Sequence, residues 1–248
     1  MSDRYFTQTP ISSTKVLLDG HEAHHLVNVM RAKPGLEVTI FDGGGAEFVA
    51  RVDRVARASV ELTIVRREEI NRELPFDLTL AVALPKGDRQ KWLVEKAVEL
   101  GVTKIVPLIT TRGVVQPVER TVDRLRRTVI EASKQCGRNK LAEITEPKKW
   151  PNFVSQTLNV GCRIIAHPGC RSTSKGTGLE HPLSAIVPNE RAAVGVGPEG
   201  GFTTQELAIA IESGWYQLDL GPRILRIETA AIFALAFVTS RLLQIPGD

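Results

Sequence analysis

Two glycine- and proline-bearing stretches near the end of the chain constrain the fold more than any other feature. The first reads Val194-Gly195-Val196-Gly197-Pro198-Glu199-Gly200-Gly201-Phe202. The second reads Leu218-Asp219-Leu220-Gly221-Pro222-Arg223-Ile224-Leu225-Arg226-Ile227-Glu228-Thr229-Ala230. Each follows a short apolar run that reads as a strand, and each leads into a segment with helical apolar spacing. After the first, Thr203-Thr204-Gln205-Glu206 has the spacing of a capping box, and Gly214 stands where a glycine would end that helix. Glycines at strand ends let a backbone approach a ligand, and a following helix start offers free N–H groups. Open α/β sheets bind ligands at the carboxyl ends of their strands, so the two loops are expected there, side by side. One such loop alone reads as a tight turn. Two in tandem, both Gly-Pro, read as a site.

The loops also exclude chemistry. Neither has the G-x-x-x-x-G-K-[ST] pattern of a nucleoside-triphosphate cradle. Neither has G-x-G-x-x-G with an acidic residue downstream, so a dinucleotide fold is not expected. The chain has 248 residues, enough for a sizeable core, and no apolar run long enough to span a bilayer. Its first residues, MSDRYFTQTP, lack the apolar stretch of a signal peptide. Cys136, Cys162 and Cys170 are odd in number and form no C-x-x-C, so reduced thiols in a cytoplasm are expected, with no cysteine-held metal.

Residues 1–73 read as a β-rich unit. Leu36–Phe41, Glu47–Val52 and Ser59–Val65 have strand patterns, and Asp42-Gly43-Gly44-Gly45 marks a turn. A short helix is expected over Glu22–Arg31, and Asn71–Asp77 reads as a linker. From residue 78 strands alternate with helices, which implies a mostly parallel sheet. Leu78–Leu84, Lys104–Leu108 and Cys162–Ala166 read as strands. Asp88–Leu100 and Arg120–Cys136 read as helices ended by Gly101 and Gly137. Gly169–Gly178 reads as a mobile loop, either a lid or surface slack. The last helix, Thr229–Leu243, is apolar nearly all round, so it is expected in a core or against a second copy of the chain.

GVGPEGGFTTQE followed by LGPRILRIETA closely resembles the C-terminal signature of the RsmE family of SPOUT methyltransferases. The resemblance extends to His24-His25-Leu26 with Met30-Arg31, Lys86-Gly87-Asp88 with Glu99-Leu100-Gly101-Val102, and Gln135-Cys136-Gly137-Arg138-Asn139. Ile227 departs from it, since the family often has Thr there. The resemblance implies an α/β fold with a SPOUT-type trefoil-knotted sheet and flanking helices over 74–248. A small PUA-like β-barrel that helps grip RNA would precede it over 1–73. It also implies a homodimer that methylates N3 of a uridine in 16S ribosomal RNA with S-adenosylmethionine. The implied donor pocket comprises His167, Gly195, Val196, Gly197, Pro198, Glu199, Gly200, Leu218, Leu220, Gly221, Leu225, Arg226 and Thr229.

Charge and chemistry add candidates. Residues 86–149 carry 15 basic and 8 acidic side chains, while the whole chain is only +4. A clustered basic excess suits a phosphate-backbone partner, although a charge run alone reads as a solvated helix face. Arg31, Lys86, Arg124, Arg127, Lys134 and Arg138 are the candidate RNA contacts. Removing the uridine N3 proton spreads charge onto O2 and O4, which calls for cationic donors and a base or water path. Arg226 and Arg138 are the candidate donors and Glu99 the candidate acid, base or orienting group. Each has a plainer role open to it: Arg226 pairing Glu228, Arg138 binding phosphate, Glu99 bridging its own helix. His21-Glu22-Ala23-His24-His25 matches H-E-x-x-H, the zinc-hydrolase pattern, but no third ligand is placed. No metal is expected, and the bland reading is a helix start with partly exposed histidines.

Overall fold

The computed structural model describes residues 4–167 and 191–243, without the side chain of Leu242. The expected loop at 169–178 and Cys170 lie outside the described residues. The chain forms two compact units. One takes Met1–Glu73 and Ile130–Leu141, and the other takes Leu74–Val129 and Ala142–Asp248.

The first unit is a five-stranded sheet in the order β1-β3-β4-β5-β2. Its strands are β1 (Arg4–Phe6), β2 (Lys15–Asp19), β3 (Glu37–Phe41), β4 (Glu47–Val55) and β5 (Ser59–Glu68). Register shifts at Val49/Ala50 and Val52/Arg54 mark irregularities in the β4–β5 ladder, which bend and curl a sheet. One face closes on Tyr5, Leu18, Leu26, Ile40, Phe48 and Leu62. The expected helix over Glu22–Arg31 divides. Helix α1 (Gly20–His24) gives way to a π turn over His25–Val29, where Met30 N–H reaches back to the His25 carbonyl at 3.1 Å.

A charged network ties residues 137–139 into this unit. Glu47 is buried and paired with Arg4 and Arg72. Arg72 also donates to the Gly137 carbonyl at 3.0 Å, and Arg4 to Asn139 Oδ1 at 2.6 Å. Burial opposes ionisation of Glu47, but the bonds and charges of Arg72 and Arg4 outweigh it and hold its carboxyl below the usual range.

In the second unit a parallel sheet has the order β12-β10-β11-β6-β7-β8, with β9 pairing β7. The strands are β6 (Asp77–Val82), β7 (Lys104–Ile109), β8 (Glu143–Ile144), β9 (Lys148–Lys149), β10 (Cys162–Ala166), β11 (Arg191–Val196) and β12 (Tyr216–Leu218). The helices are α2 (Arg89–Glu99), α3 (Glu119–Cys136, whose last turns belong to the first unit), α4 (Trp150–Gln156), α5 (Thr204–Glu212) and α6 (Ile227–Leu243). Among the described residues no helix is long and apolar enough to cross a membrane.

Trp150 organises the core beneath the C-terminal strands. Its ring is fully buried, 4.5 Å from Phe202 and 5.2 Å from Trp215 between centroids, and its indole N–H donates to the Glu206 carbonyl at 2.9 Å. Helix α6 buries Ile227, Ala231, Ala234, Leu235 and Val238, so it is not buried all round. Phe233 remains 47% exposed on its other face.

Candidate functional site

The register of three strands builds the site. Ala166 at the end of β10 pairs with Val196 of β11 on one side and Leu218 of β12 on the other. The chain therefore leaves all three strands at one level, and His167 N–H continues the ladder to the Leu218 carbonyl at 3.1 Å. The two Gly-Pro stretches emerge there and enclose a cavity of about 380 Å³, within the ~300–1,000 Å³ of small-molecule sites.

Val196, Gly197, Pro198, Glu199 and Gly200 line it from the first loop, and Leu220, Gly221 and Leu225 from the second, with His167 between them. Gly195, Leu218, Arg226 and Thr229 belong to the same stretches but do not line it. The wall also includes residues that sequence reasoning missed: Arg112, Ala166, Gly201, Phe202, Asp219, Arg223, Ile224, Ile227 and Ala230. All but Arg112 and Ala166 lie within the two Gly-Pro stretches, and Ala166 ends β10. Arg112 was not legible in the sequence, because it arrives from the far side of the sheet, beyond β7.

Two latches bring Arg112 in. Its Nη1 donates to the Gly200 carbonyl at 2.8 Å. Beside it, Thr111 donates to Glu206 Oε1 through its backbone N–H at 2.8 Å and its hydroxyl at 3.1 Å. The other Glu206 oxygen accepts from the Thr203 N–H at 2.8 Å and hydroxyl at 3.1 Å, and Thr203 accepts in turn from Glu206 N–H. The expected capping box is thus present, and it also fastens a second loop. Burial raises the Glu206 carboxyl, but these bonds together hold it below its ordinary value. Burial first, and the Arg112 charge second, lower the His167 pKa, so its ring is neutral at neutral pH. His167 Nδ1 is buried without a partner among the described residues.

Aromatic packing accounts for two of the loop glycines. A Cβ on Gly195 would stand 2.8 Å from the Trp150 ring, and one on Gly197 would stand 3.0 Å from Phe202. Core packing therefore explains these glycines without a ligand. Gly221 is different: its φ of +97° belongs to a turn in which its N–H reaches Asp219 Oδ1 at 2.9 Å.

The remaining candidates lie elsewhere. Glu99 pairs with Lys96 at 2.7 Å and does not line the cavity. Arg226 is exposed between Leu225 and Ile227, and Glu228 pairs with Arg89 instead. Arg138 is 3% exposed and its guanidinium holds Glu73 within the first unit. Lys134 is buried there too, 2.8 Å from Glu22. These two cannot meet phosphate without giving up ion pairs, whereas Arg31, Lys86, Arg124 and Arg127 are exposed. Of the zinc-hydrolase pair, His21 joins a cluster of possible ligands and His25 does not. His25 packs on Tyr5 at 5.9 Å between rings, and the converging ligand atoms among the described residues are those of His21, Glu22 and Glu131, with the Lys134 ammonium already on Glu22.

Known proteins share this architecture. Residues 72–239 match the RNA methyltransferase domain family, and residues 18–65 match the RNA methyltransferase PUA domain family. The chain is 31% identical over 237 residues to Ribosomal RNA small subunit methyltransferase E of Synechocystis, covering 94% of this chain and 75% of that protein. The protein of the same name from Bacillus subtilis is 27% identical over 235 residues, with 93% and 92% covered. Among solved structures, the Neisseria gonorrhoeae methyltransferase E bound to S-adenosyl methionine is 31% identical with a TM-score of 0.83, covering 97% of this chain and 98% of that one. A Legionella pneumophila methyltransferase in complex with SAM is 33% identical with a TM-score of 0.85 and the same coverage. Sheet, strand-end loops and curled N-terminal sheet together define an RNA methyltransferase with a SPOUT-like fold and a PUA-like accessory sheet. Within that class, the chain belongs to the ribosomal RNA small subunit methyltransferase E (RsmE) family.

Proposed function

We propose that this protein transfers a methyl group from S-adenosylmethionine to N3 of a uridine in 16S ribosomal RNA, within the small ribosomal subunit and in the cytoplasm. The observation that carries the reading is the cavity between two strand-end loops in a chain of this family. Its residues suit the donor. Leu220, Ile224 and Leu225 offer apolar surface for a purine ring, and the loop backbones offer N–H and C=O groups to its edge. Glu199 and Asp219 on one hand and Arg112 and Arg223 on the other match a ligand carrying both signs of charge. His167 Nδ1 has no partner among the described residues, and a ligand could provide one.

When bound, the donor supplies an activated methyl, so the protein's task is alignment, deprotonation and charge stabilisation. Arg112 is an anchored cation of the wall, held through one nitrogen on Gly200, and its other donors can meet the acceptor oxygens. Arg226 can turn toward the acceptor from its exposed place beside the wall. The neutral His167 ring can hydrogen-bond without competing for the donor's positive charge. The N3 proton leaves through water at the mouth of the cavity. Arg31, Lys86, Arg124 and Arg127 are the phosphate contacts in this reading, with residues 1–73 as the RNA-gripping domain and 74–248 as the transferase. The exposed Phe233 face of α6 is the surface assigned to a homodimer.

The test is methyl transfer from isotope-labelled donor to small subunits from cells lacking the protein, followed by digestion and mass spectrometry. N3-methyluridine at one site is the expected product. Label on another nucleoside, or none, would overturn the assignment. Light scattering at micromolar protein should give twice the monomer mass.

A further inference from the structure

Arg89, in the first turn of α2, reaches both loops without lining the cavity. Its Nη2 lies 3.9 Å from Glu199 Oε1 in the first loop. Its Nη1 lies 3.4 Å from Glu228 Oε1, near the end of the second loop in the first turn of α6. Glu199 is part of the cavity wall, and Glu228 follows Ile227, which is also part of it. One guanidinium thus stands between the two backbones that enclose the cavity. Glu228 is 7% exposed, and its Oε2 is buried with no partner among the described residues. Arg89 is the cation that compensates this buried carboxylate.

The choice of residue follows from this geometry. A guanidinium is planar, permanently charged and has donors on several edges, so one side chain can address two carboxylates at once. A lysine ammonium is a single point charge on a flexible stem. Removing the cation leaves Glu228 buried and uncompensated, which a folded protein relieves by moving the group toward water. Movement of Glu228 toward water shifts the start of α6, which carries Ile227 and Ala230 on the wall. Glu199 would lose its link to the same centre.

We propose that Arg89 is a positioning residue that couples the two loops and thereby sets affinity for the methyl donor. The proposal rests on the reading of these loops as the donor site. Without Arg89 the binding-ready arrangement becomes a smaller fraction of the molecules, and apparent affinity falls by that fraction.

The test titrates S-adenosylhomocysteine calorimetrically into the wild-type protein, Arg89→Ala, Arg89→Lys and the double variant Arg89→Ala/Glu228→Gln. Steady-state methyl transfer follows on the same proteins. Arg89→Ala should raise Kd about tenfold and raise KM for the donor by a similar factor, with kcat within about twofold of wild type. Arg89→Lys should fall between the two. The double variant should recover at least part of the loss, because the buried charge is gone. A folded Arg89→Ala with unchanged Kd overturns the proposal, as does a lysine variant that binds like wild type or a double variant no better than the single. A wild-type protein that gives no binding would instead overturn the donor-site reading itself.

Discussion

Replacing Glu206 by Gln changes one oxygen to an amide and tests the latch that holds the site together. The carboxylate is 6% exposed and accepts two N–H and two O–H bonds, from Thr203 and Thr111. A glutamine keeps one acceptor oxygen and turns an NH₂ toward the other pair. The hydroxyl of that pair can rotate and accept, but the backbone N–H cannot, so one buried donor is left facing another donor. An unsatisfied buried donor costs about 1–3 kcal/mol, and making the surviving bonds neutral costs about 1 kcal/mol more. The expected loss is therefore about 2–4 kcal/mol at pH 7, or a fall in Tm of about 5–10 °C. The pH dependence has a definite sign. Because the folded carboxyl titrates below its ordinary value of about 4.5, its contribution is complete above that pH and is lost as pH falls through the lowered value. Thermal melts of both proteins between pH 7 and pH 3 should therefore converge at the acid end. A Tm at pH 7 within about 1 °C of wild type, or a gap that widens with acid, would refute the reasoning.

Other outcomes follow from the same geometry. Gly195→Ala should destabilise the protein by about 1–3 kcal/mol, because its Cβ meets the Trp150 ring, and calorimetry should show weaker donor binding as the loop shifts. Gly197→Val should lower Tm as well as donor affinity, since Phe202 stands against its Cβ; a normal melt with lost binding would show that the loop yields more easily than its packing suggests. Arg138→Ala should cost about 1.5–3 kcal/mol, because it removes the guanidinium bonds of the partly buried Glu73 carboxylate. An Arg138→Ala protein of wild-type Tm but abolished turnover would contradict that structural role.

Local chemistry was the legible part of the fold. The Thr203–Glu206 box, the strand Cys162–Ala166 and the helix ended by Gly101 each depend on hydrogen bonds or apolar spacing within a few residues. The π turn at His25–Val29 escaped notice, because apolar spacing does not separate it from an ordinary helix. Helix α4 is short and carries a proline in its first turn, and β8 and β9 have two residues each, too few for any periodicity. The loops of the site were readable because their glycines and prolines are contiguous. Arg112 and Arg89 were not, because the first reaches the cavity through Gly200 and the second through Glu199 and Glu228, all distant in sequence. Arg138 and Lys134 show the converse: their charge was visible, but not the partly buried carboxylates that engage it.

The most direct test of the account is a crystal structure of the protein grown with S-adenosylhomocysteine. Density between the Val194–Phe202 and Leu218–Ala230 loops, touching Gly197, Leu220 and His167, is the predicted result. Well-ordered protein with the ligand bound elsewhere, or with that cavity empty at saturating ligand, would contradict the central claim that these two loops hold the methyl donor.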